Sequence, residues 1–575
     1  MKTLYEKIIK KWRILFLATP LLTLSCSEKF LETELTGLAT EEFYYSTVSG
    51  ISELVTGTYA SLNTCPANLH TLDVMYVAFG SIASDEAEAG GEIGGNDKVD
   101  FQNWDKGIPT ATEQEAISQN NWAYSYKTIQ RANQTLAGIA KYREDNASIP
   151  SDSAALLNQF EGEMEFIRAF VHFKLTQIYG GVPIIDHLLS SSEYGITRKT
   201  VAECLHFVQE RLEIAIDLLP TKGAYGPGNA GRATSGAAEA LLAKASLYES
   251  SYAENYAGDE RFAGCEQKYA EALTHAQNVI NSGEYTLLGI NGETFDTYWN
   301  QNGSTIYPES TPGYRYIFTV DGENSDEDVF SVQSINDGLP VYMISRGTYL
   351  TIYMTVRNTS VSTLGWGFNC PTEDMLNDYE PGDPRIIVTI GRDGDPVYIN
   401  DEWLTMSCVQ SPTNMIGRKF EASPEQYWGT RGHDSNGPNN FTYIRYADVV
   451  LFAAEAAFKT GDQTTALEYV NMIRKRARDG ATTGVPEDLS SISFDDIINE
   501  RHYELALEGH RFFDLVRWAR TEFIVGQPLQ KWLNGVERPS PVSNAFTVGV
   551  NEFSPIPQVE IINSNGSLIQ YPGYE

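Results

Sequence analysis

Cysteine is scarce in this chain: six in 575 residues, widely spaced and without a CxxC. That spacing excludes the common zinc frameworks and a disulfide-stapled fold, although one bridge is compatible with an exported protein. Positive charge is also short, with 42 Lys and Arg against 76 Asp and Glu and a formal net charge of −34. Duplex nucleic acid is therefore excluded as a natural partner, since binding it takes clustered bases. The N-terminal apolar run Ile14–Leu24 is only eleven residues long, too short to span a bilayer as a mature helix. The sequence has no H-E-x-x-H, Walker A or G-x-S-x-G motif, so metalloprotease, NTPase and common serine-hydrolase chemistry find no support.

Aromatics are abundant, at 32 Tyr, 25 Phe and 9 Trp. They exceed what a core requires, so many are expected at the surface, where flat apolar faces with polar edges suit sugars or peptides. The N-terminus reads as an export signal over residues 1–25. Lys2, Lys7, Lys10, Lys11 and Arg13 precede the short apolar stretch, and Leu24-Ser25-Cys26 provides the small residue before Cys that bacterial lipoprotein processing requires. Thr23 replaces the usual leucine three places before the Cys. A lipidated Cys26 is preferred to ordinary cleavage, and an acyl anchor there would hold a soluble body at a membrane.

Helical periodicity organises the rest. Apolar residues recur at helical spacing over Thr40–Leu62, Trp122–Ala140, Ala154–Tyr179, Val201–Leu219, Ser235–Tyr252, Cys265–Ile280, Tyr446–Lys459, Gln463–Arg478 and Phe494–Arg520. Paired helices at this spacing suggest a superhelix of tetratricopeptide type, without a consensus repeat. Two stretches break the pattern. Cys65–Pro109 is polar, Gly-rich and aperiodic, too long for a connector and so a candidate binding loop. Residues 281–440 are rich in Pro, Gly, Asn and aromatics, with strand-like runs at Tyr314–Val320 and Arg385–Thr389. The tail Phe553–Glu575 reads as extended, because Pro555, Pro557 and Pro572 oppose helix.

Three motifs invite chemistry. Gly226-Pro-Gly228-Asn-Ala-Gly231 fits G-x-G-x-x-G, but it follows a helix rather than a strand, so it is read as a turn with Thr234 or Ser235 capping the next helix. The acidic run Asp321–Asp328 has alternating oxygens suited to calcium. It lacks the EF-hand glycine and distal Glu, so a solvated loop is favoured and no metal site is assigned. Arg501–Arg520 sets His510 among Glu504, Glu508, Arg511, Asp514 and Arg517, three or four residues apart. An ion-pair network holding buried helices together is favoured there over an active site.

Six ordered stretches resemble the SusD/RagB family, the surface lipoproteins of Bacteroidetes nutrient-uptake systems. They are the Cys26 start; Arg131-Ala-Asn133; Phe166–Ile185 (FIRAFVHFKLTQIYGGVPII); Gly231–Gly236 with the following AEALLAKASLY; Glu508–Trp518 (EGHRFFDLVRW); and Phe553–Pro557 with Gln570–Gly573. Asp383-Pro-Arg385 also fits. The resemblance implies a mainly α protein: about four tetratricopeptide-like helix pairs supporting an irregular, loop-rich lobe with short strands. It further implies a non-enzyme without cofactor that binds a nutrient glycan, in some members a peptide, outside the outer membrane. The expected partner is a SusC-like TonB-dependent transporter, which the protein caps as a lid. The organisation expected is a signal peptide at 1–25, a helical region at 26–280, a ligand lobe at 281–440 and a C-terminal helical region at 441–575. Glu508, His510, Arg511, Asp514, Arg517 and Trp518 fall in the scaffold signature and carry no ligand role.

For the ligand, exposed aromatics beside amides and carboxylates are the candidates. Trp104 with Gln102, Asn103 and Asp105 fits best. Tyr298 and Trp299 with Asn300 and Gln301, then Trp366 in Gly365-Trp-Gly367, and Trp428 follow. A glycoside hydrolase is the less favoured alternative, since no stretch isolates two carboxylates in an apolar setting.

Overall fold

The computed structural model describes residues 40–63, 72–91, 97–112, 117–293, 295, 312–335, 347–357, 365–399, 402–421, 437–479, 484–526, 532–533, 536–537 and 544–574. Cys26, Cys65, Tyr298, Trp299, Asn300, Gln301 and Trp428 lie outside them.

The N-terminal half is a run of helices: α1 (Glu41–Tyr45), α2 (Val48–Asn63), α3 (Leu72–Ile82), then, after strand β1 (Ala87–Gly90), α4 (Val99–Asp105), α5 (Ile117–Asp145), α6 (Ser151–Tyr179), α7 (Val201–Leu218), α8 (Ser235–Asn255) and α9 (Tyr269–Ser282). Each long helix packs on the next: α2 on α5, α5 on α6, α6 on α7, α7 on α8 and α8 on α9. The array then skips the 163 residues 283–445 and resumes, because α9 packs on α14 (Tyr446–Lys459) and α14 on α15 (Gln463–Arg478). Four successive helix pairs result, the tetratricopeptide-like superhelix that periodicity predicts.

Local chemistry sets several of these boundaries. The Thr200 hydroxyl and the Glu203 carboxylate form a reciprocal capping box at the start of α7. Thr234, not Ser235, caps α8 by accepting from the Ala237 N–H at 3.0 Å. The G-x-G-x-x-G stretch before it is a short 3-10 turn, Pro227–Asn229. At the end of α6, Gly180 (φ +70°) turns the chain, and a Cβ on Gly181 would lie 1.9 Å from the Lys199 carbonyl oxygen. Into that gap comes the C-terminal tail: the Tyr571 hydroxyl accepts from Gly181 N–H, and Ser554 N–H donates to the Ile178 carbonyl at 2.7 Å. Two motifs nearly 400 positions apart in sequence are thus one packing unit.

Between α9 and α14 lies an irregular lobe of short elements: α10 (Pro312–Tyr316), β2 (Asp328–Val332), α11 (Leu350–Met354), β3 (Phe368–Pro371), α12 (Glu373–Asp378), α13 (Arg385–Thr389), β4 (Ile390–Arg392), β5 (Pro396–Ile399), β6 (Glu402–Thr405), β7 (Met415–Gly417) and β8 (Phe441–Arg445). The strands make separate two-stranded antiparallel ladders, β1 with β3, β2 with β8, β4 with β7 and β5 with β6. β8 runs straight into α14, and its ladder with β2 (Val332 opposite Phe441) ties the lobe to the helices.

Five expectations are corrected. The 65–109 stretch is not a plain loop: LDVMYVAFGSI forms α3, whose Val74–Ile82 core residues are at most 1 % exposed. Tyr314–Val320 and Arg385–Thr389 are not strands. The first enters α10 and a 3-10 turn, and the second is α13. The N-terminal helix breaks in two at 46–47. The tail carries one helical turn and a half, α18 (Gln558–Asn563), with Pro557 before its first residue, where a missing N–H costs nothing. Finally, Phe494–Arg520 is two helices, α16 (Phe494–Leu505) and α17 (Arg511–Arg517). Leu507 (φ +63°) and Gly509 (φ +84°) leave the helical region between them. The aromatics also lie deeper than expected: among the described residues, Phe43 and Tyr194 are the exposed ones.

Candidate functional site

The α16–α17 segment resolves first, because it holds the densest charge in the chain. Glu504 is fully buried and receives three arginines: Arg445 at 2.9 Å, Arg385 at 3.2 Å, and Arg476. Burial alone would raise its carboxyl, but these cations outweigh burial and hold it down at about 2. Glu508 pairs with Lys419 (2.7 Å) and Arg445 (2.8 Å). A second cluster links α17 to α8, α14 and α16. Asp514 accepts from Arg501 and Arg517, both at 2.8 Å, and Arg517 forks onto Glu455 at 2.6 and 2.7 Å. The Trp518 indole N–H donates to the same Glu455, at 2.8 Å. Arg511 grips Asp85 with two bonds, 2.8 and 2.7 Å, just beyond α3.

His510 sits among these groups yet is only 4 % exposed, and its Nδ1 stands 3.4 Å from the Tyr76 hydroxyl and from Lys244 Nζ. Burial, helped by the Lys244 charge, lowers its pKa to about 4, so the ring is neutral. The carboxylates are saturated by partners and closed to solvent. This segment locks helix to helix, which is the structural reading preferred from sequence.

The candidate ligand residues fare differently from one another. Trp104 is a correction. It is 1 % exposed on α4, stacked on Phe101 (5.2 Å, 29°) and edge-on to Phe79 (5.3 Å), so it offers no face to a sugar. An indole between two phenyl rings buries apolar area that a polar loop cannot otherwise supply. Its neighbours serve the fold too. Asp105 Oδ2 accepts from the Ala89 N–H (3.0 Å) and Gln102 donates to the Gly90 carbonyl (3.0 Å), so both pin α4 to β1. Asn103 is half-buried beside them.

Trp366 is half-buried and stands T-shaped on Tyr353, with ring centroids 4.8 Å apart. Its flanking glycines are needed for close approach. A Cβ on Gly365 would lie 2.4 Å from the Thr355 carbonyl oxygen, and one on Gly367 (φ +68°) 2.8 Å from Arg357 Cβ. The indole is therefore carried on backbone laid directly against residues 355–357, and Trp366 N–H donates to the Ile352 carbonyl at 2.7 Å. Next to it Arg357 bridges to Asp97 at 2.6 Å, and Lys98 lies 5.6 Å from the Tyr353 ring centre. Gly91 N–H donates to the Gly367 carbonyl at 2.8 Å, and the β1–β3 ladder continues this contact.

The two regions that sequence nominated for binding, 65–109 and 281–440, thus share one face. Residues 91 and 97 from the first meet 357 and 367 from the second. What meets there is an aromatic pair beside an ion pair and an amide, the mixture that polyhydroxylated ligands exploit. Sequence reading missed Tyr353, Asp97 and Arg357, since nothing local distinguishes them. Only the shared ladder could have. No group of three or more metal-ligating side chains occurs among the described residues.

The fold is a helical-repeat scaffold bearing an irregular lobe whose loop stems converge. The chain belongs to the SusD family: residues 239–574, more than half its length, match the family model of that description. Residues 71–247 match a second model, described as starch-binding and associating with the outer membrane. A SusD-like protein P2 of Formosa agariphila is 25 % identical over 98 % of this chain and 100 % of its own length. A SusD homolog of Bacteroides thetaiotaomicron superposes with a TM-score of 0.70 at 19 % identity, covering 95 % of this chain and 100 % of its own. Surface glycan-binding protein A from Bacteroides thetaiotaomicron, solved in complex with laminarihexaose, superposes with a TM-score of 0.68 at 20 % identity over 91 % and 99 % of the two chains.

Proposed function

We propose that this protein binds a nutrient glycan without transforming it and passes it to a TonB-dependent outer-membrane transporter of SusC type, held at the cell surface by a lipid on Cys26. The observation that carries the reading is the convergence of both loop regions on Trp366, Tyr353 and the Asp97–Arg357 pair. Membership of the SusD family supports it, as do structural neighbours described as surface glycan-binding proteins. Tyr298, Trp299 and Trp428 belong to the same proposal through their place in the second region. The saturated, buried state of Glu504, Glu508 and Asp514 supports a non-catalytic role, because a hydrolase needs two carboxyl groups open to substrate.

The test is calorimetric titration of the signal-free protein with plant, host and microbial oligosaccharides and with mixed peptides, alongside a reducing-end assay. Saturable glycan binding without new reducing ends is the expected result. Turnover of the glycan would overturn the non-catalytic reading, and binding confined to peptides would reassign the ligand class. Delivery is tested separately, by co-purification with a SusC-type transporter expressed in the same cells, which should depend on the intact protein.

A further inference from the structure

A cavity of about 430 Å3, sharing no lining residue with the Trp366 face, opens between α5, the segment 183–196 and the C-terminal α18. Its size falls in the range of small-molecule sites. Three aromatics contribute to its lining: Trp122, Tyr126 and Tyr194. Trp122 and Tyr126 lie 5.1 Å apart on one face of α5, and the Tyr126 hydroxyl is already engaged, donating to the Pro183 carbonyl at 2.8 Å. What Tyr126 presents is therefore its ring. Tyr194 is 70 % exposed, the most exposed large hydrophobic side chain among the described residues, and it stands at the cavity edge. Tyr194 carries the aromatic lining of the cavity out to its rim.

The carboxylates of this cavity meet one cationic side chain of its lining, His187. Glu193 and Glu560 line the cavity, and no Lys or Arg does. Glu193 is satisfied: it accepts from Ser190 N–H at 2.8 Å and from the Ser190 hydroxyl at 2.6 Å, while its other oxygen faces His187 at 2.9 Å. His187 is in turn held by Asp186 at 2.6 Å, so its charge is spent within that loop. Glu560 differs. Its carboxylate has no hydrogen-bond or ion-pair partner among the described residues, and burial alone pushes its pKa up. Arg198, the nearest guanidinium along the loop in sequence, is stacked 3.8 Å over the Tyr571 ring. Among the described residues Glu560 is thus a half-buried carboxylate without a protein partner, set at the wall of an aromatic hollow.

We propose that this cavity is a second binding site, separate from the glycan face, for a small organic amine whose protonated nitrogen meets Glu560 and whose flat apolar body lies against Tyr126 and Tyr194. A carboxylate and aromatic faces attract the same ligand cation, the first by charge and the second through the ring quadrupole. A neutral sugar would leave the carboxylate without a counter-charge, and an anion would be repelled. Exposed tyrosine and half-buried glutamate together make a site open to exchange with the surroundings.

Tyramine is the probe, and its neutral analogue tyrosol, with a hydroxyl in place of the amine, is the control. Calorimetric titration of the mature chain should give saturable one-to-one tyramine binding, with tyrosol at least about tenfold weaker, a difference of about 1.4 kcal/mol. Glu560→Gln keeps the shape of the wall and should bring the two ligands to equal affinity, with an unchanged unfolding midpoint. Tyr194→Ala should weaken tyramine, and Trp366→Ala should leave it untouched. Equal binding of amine and alcohol to the native protein, an unaffected Glu560→Gln variant, or displacement of tyramine by a neutral oligosaccharide would each overturn the proposal, as would no binding at millimolar ligand. Displacement by an oligosaccharide would also move the glycan to this cavity; the other outcomes leave the glycan face untouched, which Trp366→Ala reports independently.

Discussion

Gly80 of α3 and Gly509 of the α16–α17 turn touch backbone to backbone. A Cβ on Gly80 would lie 2.1 Å from the Gly509 carbonyl oxygen, and one on Gly509 would lie 2.7 Å from Val77 Cα. Gly509 also holds φ +84°. This contact lets Phe79 reach Phe512 and Phe513 (4.9 and 6.0 Å), and it brings Asp85 within reach of Arg511. Gly509→Ala is expected to cost about 3 kcal/mol, since both a clash with rigid backbone and an unfavourable φ must be accommodated. Gly57→Ala, in a helix interior with nothing within 4 Å, should instead stabilise by about 0.5–1 kcal/mol. Urea unfolding of both variants checks the contrast, and equal effects would sink the account.

Glu504→Gln should be among the most damaging single changes in the chain. It leaves Arg385, Arg445 and Arg476 buried with one carboxylate fewer among them, and breaking one partner out of such a network costs about 3–5 kcal/mol. The unfolding midpoint is the readout. A loss below about 1 kcal/mol would mean that the cluster is hydrated rather than closed.

Acid should destabilise the protein in two stages. Burial holds His172 and His510 down at about 4 and His502 at about 3, against an ordinary 6.5. The unfolded chain therefore takes up more protons than the folded one as pH falls below 6.5, and stability declines until the folded pKa values are reached. Glu504, held at about 2 against 4.5, adds a second loss from pH 4.5 downward. Glu86 works the other way. Burial pushes it up to about 8, so its contribution shrinks as pH rises from 4.5 to 8. Glu323, pushed up by burial to about 7, acts with Glu86. The three histidines are displaced by the larger sum, so the urea midpoint should fall between pH 6.5 and 4. His172→Gln should flatten that slope, and a level profile in the native protein would contradict the burial of these rings.

Trp104 and Trp366 should separate cleanly. Trp104→Ala is expected to lower stability by about 3–5 kcal/mol, as for other aromatics emptied from a core. Trp366→Ala should reduce glycan affinity about tenfold or more while the protein stays folded at room temperature, each tenfold loss being 1.4 kcal/mol. Calorimetry and thermal unfolding on both variants decide it. Unchanged glycan affinity in Trp366→Ala would remove this residue from the site.

How much of this was legible in the sequence follows from what each feature depends on. The long helices from α5 to α9, with α14 and α15, announce themselves because their apolar spacing, N-caps such as Thr200 and Thr234, and stops such as Gly180 are local. The ordered motifs announced the family for the same reason: each is a short string. In Cys65–Pro109 the glycines and acids masked α3, whose near-continuous apolar run carries little amphipathic contrast because it is buried on all sides. Short strands and single helical turns in the lobe, such as α13, were misread because five residues of β-branched character suit either form until neighbours choose.

The sequence by itself determined the helical array, the family and the charged signature of Arg501–Arg520, since periodicity and spacing within one segment suffice for these. Tertiary structure alone decided that the signature breaks at Leu507 and Gly509, because α3 must pass there at backbone contact. It alone sank Trp104 into the core, where Phe79 and Phe101 close around it. It alone brought Asp97 to Arg357 and left Glu560 without a cation among the described residues. Each of these is set by residues tens to hundreds of positions away, and burial and charge compensation are properties of neighbours in space.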